Sequence, residues 1–404
     1  MQKIAIVYDW IDKWGGVERV LLTLHEMFPR AEFYTSYFDP EQASWAKDLK
    51  IKTSFIDKLP AFIKKNRILS LPFYPYAFES FNFSDYDLVI SVTSSFAKSI
   101  ITKPKTLHIC YLLTPTRYLW IFPEVYFKNK VIKMTLSPYL NKLRQWDFIS
   151  AQRPDYIISI SKTIADRCQK YYQRNSEGIY PPFDTDYWQD IKNVILRAKP
   201  EESLNSFKKL FSHSREIPRL RPDIRRALAR NDTFGSYYLL VSRLEPYKRV
   251  DLVVQSFNRL SSCLIIVGKG TQLEKLKKEA NKNILFFQDL TDQELGWLYQ
   301  KAKALIMPQE EDFGYTSLEA QFFGCPLIAF KKGGATETVI EGKTGIFFKE
   351  QTVNSLLTVI EKFHTISYAL KNSTVKFGAE NVKKFAKKEF LGKFRSSLIS
   401  KIKD

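Results

Sequence analysis

The chain has 404 residues, 45% hydrophobic and 26% charged. That is too long for one ordinary core and too apolar for a disordered chain, so two domains of about 150–200 residues are expected. With 62 Lys and Arg against 43 Asp and Glu the net charge is +19. An anionic partner follows: a phosphate-bearing substrate or an anionic membrane surface, with nucleic acid set aside because no nucleic-acid-binding signature occurs.

The first element is "KIAIVYDW", a short apolar run that reads as a buried parallel strand. "KWGGVERVLLTLHEMF" follows as a glycine turn opening an amphipathic helix, with Val20, Leu21, Leu24 and Met27 at helical spacing. Strand, glycine turn and helix make the first unit of a doubly wound sheet. "EFYTSYF", "DLVISVT", "LHICYLL" and "YIISIS" read as further strands, and "SKTIADRCQKYY" as a helix. "IYPPFDTDYW" is a proline-punctuated exit, so the first domain is expected over 1–188. The next stretch, 189–234, carries Pro200, Pro218 and Pro222 and is rich in Lys and Arg. It reads as a basic insertion or linker with a helical segment showing Leu204, Phe207 and Phe211 on one face.

A second α/β series is expected over 235–375. It runs through strands "YYLLVSRL", "CLIIVG", "NILFFQ", "ALIMP" and "PLIAF", with helices "VDLVVQSFNRL", "TQLEKLKKEA", "DQELGWLYQKA" and "TSLEAQFF" between them. Short loops and regular alternation require a parallel sheet, whose ligands sit at the carboxyl ends of the strands. The last stretch, 376–404, reads as a helix returning toward the first domain. Cys110, Cys168, Cys263 and Cys325 are scattered without paired spacing, as expected of buried thiols in a reducing compartment. The four His residues form no metal-ligand pattern. No apolar run reaches about 18 residues, and the start lacks a signal peptide, so a cytoplasmic chain is expected, peripheral at most on the inner face of a membrane.

The residues with chemistry to offer stand at strand ends of the second series. In "VSRLEPYKRVD", Arg243 and Lys248 follow a strand and suit a diphosphate: Arg can hold two oxygens and Lys adds a point charge. In "LIIVGKGTQLEKL", Gly268 and Gly270 let the backbone turn tightly beside a ligand. In "PQEEDFGYTSLEA", Glu311 lies in a loop and Glu319 in the first turn of a helix capped by Thr316 or Ser317, with Phe313-Gly314 turning the chain between them. Two carboxylates so placed suit the hydroxyls of a sugar and of a ribose. Taken alone, each motif also reads as a solvated loop, a turn glycine or a helix-dipole acid. Their order on successive strand ends is what narrows the choice.

Together with "GGVERV" and "GGATETV", these stretches resemble the retaining GT-B glycosyltransferases of the family 4, group 1 type. The Glu311–Glu319 pair matches that family's two glutamates separated by seven residues. "EPYKRVD" and "EDFG" lean toward bacterial mannosyltransferases that use GDP-mannose. The resemblance implies two doubly wound Rossmann-like domains facing a cleft, and a metal-independent hexosyltransferase with no cofactor beyond its nucleotide-sugar donor. It implies that Arg243 and Lys248 hold the donor diphosphate, Glu311 the transferred sugar and Glu319 the ribose. Gly268 and Leu290 would lie beside the base. Phe313, Gly314, Gly334 and Ala335 would approach the sugar, and Gly15 and Gly16 would close over the phosphates.

One position departs from the family. After Tyr111 and Leu112 such enzymes commonly carry a His near the transferred sugar, and here Leu113 fills the place. Arg117 and Tyr118 remain as acceptor-side candidates. The stretch "IDKLPAFIKKNRILSLPFYPYAF" is both basic and aromatic, which suits an anionic membrane surface and a lipid-linked or polysaccharide acceptor. A UDP-sugar donor on the same fold, and an inactive scaffold, are the competing expectations.

Overall fold

A parallel strand covered on both faces meets apolar side chains whichever way its residues point, and the Val/Ile/Leu runs of this chain occupy that setting. The computed structural model describes residues 3–126, 130–197 and 237–403. The chain divides into two compact units, residues 1–182 with 387–404, and residues 183–386.

In the first unit β1 (Ile4–Tyr8), β2 (Glu32–Thr35), β3 (Ile51–Thr53), β4 (Leu88–Thr93), β5 (Leu107–Leu112), β6 (Tyr156–Ser159) and β7 (Glu177–Gly178) form one sheet. Its order is β3-β2-β1-β4-β5-β6-β7, parallel throughout. The chain winds outward from β1 to β3, then crosses back to β4, so β1 and β4 flank the switch point where ligands gather in such sheets. The edge strands β3 and β7 were not expected. They are short and mostly exposed, so they carry no apolar run. The helix Lys387–Lys403 belongs to this unit: Phe390 and Phe394 meet Tyr111 of β5 edge-on at 5.8 and 6.0 Å.

The second unit repeats the winding. β8 (Tyr237–Val241), β9 (Cys263–Val267), β10 (Ile284–Phe287), β11 (Leu305–Met307), β12 (Leu327–Phe330) and β13 (Gly345–Phe348) lie in the order β10-β9-β8-β11-β12-β13. Its switch point therefore falls between β8 and β11. The unit opens with the helix Thr185–Arg197, which spans the expected boundary at 188, and closes with the helix Val353–Lys383, which runs on past 375. Beyond Arg197 the expected basic insertion, with Leu204, Phe207 and Phe211, lies outside the described residues. Cys110, Cys168 and Cys325 are buried and Cys263 half-buried, all as free thiols. Burial pushes the Cys110 thiol up to about 12. Among the described residues no helix is long and apolar enough to cross a membrane.

Candidate functional site

Past β8 the chain makes a short 3-10 turn, Pro246–Lys248, ended by Arg249 in the left-handed region at φ 52°. That conformation is uncommon for a side chain with a Cβ. The turn leaves Lys248 buried at 7% exposure, whereas Arg243 on the same loop is exposed. The loop is zipped to the one after β9. Leu244 N–H donates to Lys269 O at 2.7 Å, and Gln272 N–H to Leu244 O at 2.9 Å. Gly268, at φ 152°, permits this approach, because a Cβ there would overlap the Ser242 carbonyl. Its own N–H donates to Phe287 O at 2.9 Å, joining the loop after β10, where Leu290 is half-buried.

Across the switch point, β11 ends in Met307 and leads to Gln309 and Glu311. The Lys248 ammonium meets Glu311 Oε1 at 2.6 Å, and Gln309 Nε2 donates to the same oxygen at 2.7 Å. One carboxylate oxygen thus receives an ion pair and an amide in a largely buried place, where charge-assisted bonds are strong. The main chain of Glu311 is fixed as well, since Gly334 N–H donates to its carbonyl at 2.7 Å. Gly334 must be glycine for packing rather than for its φ of −58°: a Cβ would overlap Phe313 O. Ala335 follows as the buried first residue of the turn Ala335–Thr338.

The helix carrying Glu319 starts earlier than its sequence suggests. Gly314, at φ 94°, is the N-cap, and the helix runs Tyr315–Phe322. Thr316 and Ser317 do not cap it. The Ser317 hydroxyl points back to Gly314 O at 2.8 Å and across to Thr338 Oγ1 at 2.6 Å. Glu319 consequently stands past the first turn, 4% exposed, where it accepts from the Tyr299 hydroxyl at 3.0 Å. The structure brings Lys248, Glu311 and Gly334 together, with Gln309 as a partner that sequence reasoning missed. A neutral amide beside three acids in "PQEED" gives no signal of its own.

The other candidates belong to the first unit. Gly15 is the N-cap of the helix Gly16–Met27. The Glu18 carboxyl, 4% exposed, folds back on this end of the helix. Burial pushes its pKa up to about 7, only partly opposed by the N–H groups of Glu18 and Gly15. Arg117 opens the turn Arg117–Trp120, and the Tyr118 hydroxyl pairs with Ser95 Oγ at 3.1 Å. Leu113, just past β5, is 6% exposed. The loop around Arg117 hangs on one buried carboxylate. Asp147 accepts from Lys98 at 2.6 Å, Thr116 at 2.8 Å, Trp120 at 2.7 Å and Tyr172 at 2.8 Å. A second, Asp9 at the end of β1, accepts from Thr93 Oγ1 and from the N–H groups of Ser94, Phe96 and Ala97, at 2.7–2.8 Å. Neither role is visible in sequence, because each joins residues far apart in the chain. Among the described residues no group of three or more His, Cys, Asp and Glu could hold a metal ion.

Residues 221–380 match the family described as Glycosyl transferases group 1. Over this stretch the chain is similar to the group 1 glycosyltransferases. The stretch contains the loops after β8 and β11 and every second-unit residue of the site just described. The chain is similar to the GDP-mannose-dependent alpha-(1-6)-phosphatidylinositol monomannoside mannosyltransferase of Mycolicibacterium smegmatis, 30% identical over 159 residues, 34% of this chain and 42% of that protein. It is also similar to the glycogen synthase of Mycobacterium tuberculosis, 33% identical over 145 residues, 33% of this chain and 35% of that protein. The chain therefore spans less than half the length of these curated relatives. Over its whole length it resembles a solved structure, Anabaena Alr3699/HepE in complex with UDP, with a TM-score of 0.68, 15% identity, and 98% and 100% of the two chains covered. Sheets of seven and six parallel strands in this winding are those of the GT-B fold.

Proposed function

We propose that the chain is a retaining glycosyltransferase that moves a hexose, most readily mannose from GDP-mannose, to a hydroxyl of a lipid-linked or polysaccharide acceptor. The observation that carries this reading is the Lys248–Glu311 pair at 2.6 Å, held at the carboxyl ends of β8 and β11 in the group 1 stretch. Lys248 and the exposed Arg243 bind the donor diphosphate and stabilise the charge it gains as the sugar leaves. Glu311 receives hydroxyls of the transferred sugar, and Glu319 those of the ribose. Gly268 and Leu290 border the base. Phe313, Gly314, Gly334 and Ala335 bring backbone close to the sugar. Gly15 and Gly16 serve the phosphates from the first unit, and Arg117 and Tyr118 the acceptor.

In a front-face displacement the leaving diphosphate takes the acceptor's proton, so no separate base or nucleophile is needed. Two cations do the neutralising that a metal does elsewhere. The reaction takes place in the cytoplasm, at an anionic membrane face. The Mycolicibacterium relative's name, with its GDP-mannose and its phosphatidylinositol-based acceptor, supports both donor and acceptor class. A UDP-sugar donor is the second reading, favoured by the UDP held in the Anabaena structure. Leu113 is the feature that favours an inactive scaffold.

The test is turnover by purified protein of GDP-mannose, UDP-glucose and UDP-N-acetylglucosamine. Slow release of GDP from GDP-mannose, lost in Glu311→Ala, is the expected result. Turnover of a UDP-sugar alone replaces the donor, and turnover or binding of none sinks the enzyme reading.

A further inference from the structure

The two tyrosines that open β8 face opposite sides of the sheet, as successive strand residues do, and their hydroxyls are treated differently. The Tyr237 hydroxyl donates to Leu298 O at 2.9 Å. The Tyr238 hydroxyl is buried, and among the described residues it has no hydrogen-bond partner. The Tyr238 ring cannot turn to find one. Phe257 and Phe363 meet it edge-on at 5.3 and 5.9 Å, and the His364 imidazole lies nearly parallel to it at 6.2 Å. A buried polar group without a partner destabilises a fold, so such a group calls for a reason.

Tyr238 lines a cavity of about 230 Å³ at the amino ends of β8 and β11. One wall is the pair Ala302 and Lys303, which leads into β11. The other is the helix Val353–Lys383, which presents His364, Tyr368 and Lys371 at helical spacing. Tyr368 is 81% exposed, so it stands at the rim. No Asp or Glu is among the described residues that line the cavity. The Lys303 ammonium lies 5.8 Å from the centroid of the Tyr238 ring, a cation–π distance, and is in no ion pair with the described residues. Lys371 is fixed in place by the carbonyls of Gln300 and Ala302, to which its Nζ donates at 3.1 and 3.3 Å. Burial lowers its pKa from the ordinary lysine value, and the charge of Lys301 acts in the same direction. An anion beside it would act in the opposite one.

Two ammonium groups and a phenol thus border one space with no carboxylate among them. Such donors suit an oxyanion with several terminal oxygens. The cavity also has room beyond a phosphate, toward the Tyr368 rim. We propose that it is a binding site for the phosphomonoester of a small polar molecule, with the phosphate between Lys303 and Lys371 and accepting from the Tyr238 hydroxyl. This site is separate from the one proposed for the donor. Lys248 and Glu311 follow the carboxyl ends of the same two strands, and the five residues of β8 alone span about 16 Å. The inference goes beyond the transferase reading and requires neither donor nor acceptor.

Calorimetric titration of the full-length protein with glycerol 3-phosphate, inorganic phosphate and glycerol reads the site. Glycerol 3-phosphate should bind once per chain, inorganic phosphate more weakly and glycerol not at all. Saturating GDP should leave this binding unchanged. Tyr238→Phe keeps the ring and drops only the hydroxyl. Without ligand it should melt at or above the wild-type temperature, and it should bind glycerol 3-phosphate about tenfold or more weakly. Lys303→Gln should weaken binding to a similar extent, most strongly at low salt. No binding by the wild type overturns the proposal, as does equal binding of inorganic phosphate, which would leave the ester no role. Displacement by GDP would put the ligand in the donor site instead. Unchanged affinity in both variants would mean loose attraction to a basic surface. A Tyr238→Phe protein that melts lower without ligand would mean that the hydroxyl serves the fold, and each of these three results also overturns the assignment.

Discussion

Lys248 is a primary ammonium at 7% exposure, and Glu311 at 2.6 Å offsets the cost of burial on that scale. Removing one member takes a close opposite charge away from the other, which stays largely buried. Lys248→Met should therefore destabilise the second unit by about 3 kcal/mol, and Glu311→Gln by a similar amount. Combining the two removes both charges, so the double variant should recover most of that loss in urea melts. Sugar-nucleotide turnover should be abolished in all three. A double variant as unstable as the singles would mean that the pair is not a closed electrostatic unit, and turnover surviving in the double would remove both residues from the proposed donor site. The two charges were legible in the sequence because an ionic side chain at the end of an apolar strand has no business in the core. Gln309 and Tyr299 were not. They carry no charge, and their value lies in aiming the carboxylates of Glu311 and Glu319, which only folded geometry reveals.

The helix Tyr315–Phe322 is short, is capped by glycine, and lacks a side-chain N-cap bond, so its placement depends on tertiary contacts. A buried polar chain supplies them. Gln321 Nε2 donates to the carbonyls of Ser317 and Thr338, and Asn381 Nδ2 donates to Gln321 Oε1 at 2.9 Å and Thr338 O at 2.8 Å. Asn381→Leu removes the donor to Gln321 Oε1 and one of the two donors to Thr338 O, and should lower stability by about 2 kcal/mol. Because Glu319 rides on this helix, the donor KM should rise with it. An unchanged KM would show that the network stabilises without positioning. The expected cap at Thr316 or Ser317 failed for the same reason: Ser317 is recruited into the network, and its hydroxyl is no longer available at the helix end. Elements with strong periodicity, such as the helix Gly16–Met27 and β4, could be read directly. β3 and β7 could not, since short edge strands need no apolar run. The N-terminus of Gly16–Met27 adds a pH dependence. The Glu18 carboxyl sits at about 7 when folded against an ordinary 4.5. A carboxyl raised by folding contributes stability that is complete below the unfolded value and lost as pH rises through the folded one. Wild type should thus lose up to about 3 kcal/mol from this group between roughly pH 5 and 8. Glu18→Gln keeps an acceptor for the Gly15 N–H but cannot ionise. It should match wild type at about pH 4 and exceed it at about pH 8 in thermal melts; parallel curves for the two proteins would place the proton elsewhere.

At the scale of the whole molecule, the same winding appears twice, and both switch points hold a carboxylate fixed by several donors: Asp9 after β1 and Glu311 after β11. The two are not equivalent. Asp9 is fully buried and bonded almost entirely to its own unit's loop after β4, so it ties down scaffold. Glu311 shares its oxygen with a cation from β8's loop and lies next to glycines whose backbone can approach a ligand. The alternation of strands and helices made the duplication visible in the sequence. The difference in role was hidden, because an Asp closing "IAIVYD" and a Glu following "ALIMP" look alike until their partners are known. That asymmetry predicts where a nucleotide acts. Gly15 and Gly16 apart, the proposed diphosphate, ribose and base contacts fall within residues 183–386, a compact unit with its own core. A ligand that binds only the folded form of one unit stabilises that unit by mass action, by about 2.7 kcal/mol when present at a hundred times its Kd. Calorimetry of the full chain should resolve two transitions, and GDP should raise only the one that belongs to the second unit. Lys248→Met should erase that shift while leaving the first unit's transition in place. Hydrogen exchange then assigns the transitions, with protection expected in β8 and β11 and none in β1 and β4. Equal stabilisation of both units would mean that the first contributes as much binding energy as the second, and that the glycines at 15 and 16 belong to the nucleotide site proper. No shift with GDP but a clear one with UDP would keep the site and exchange its base.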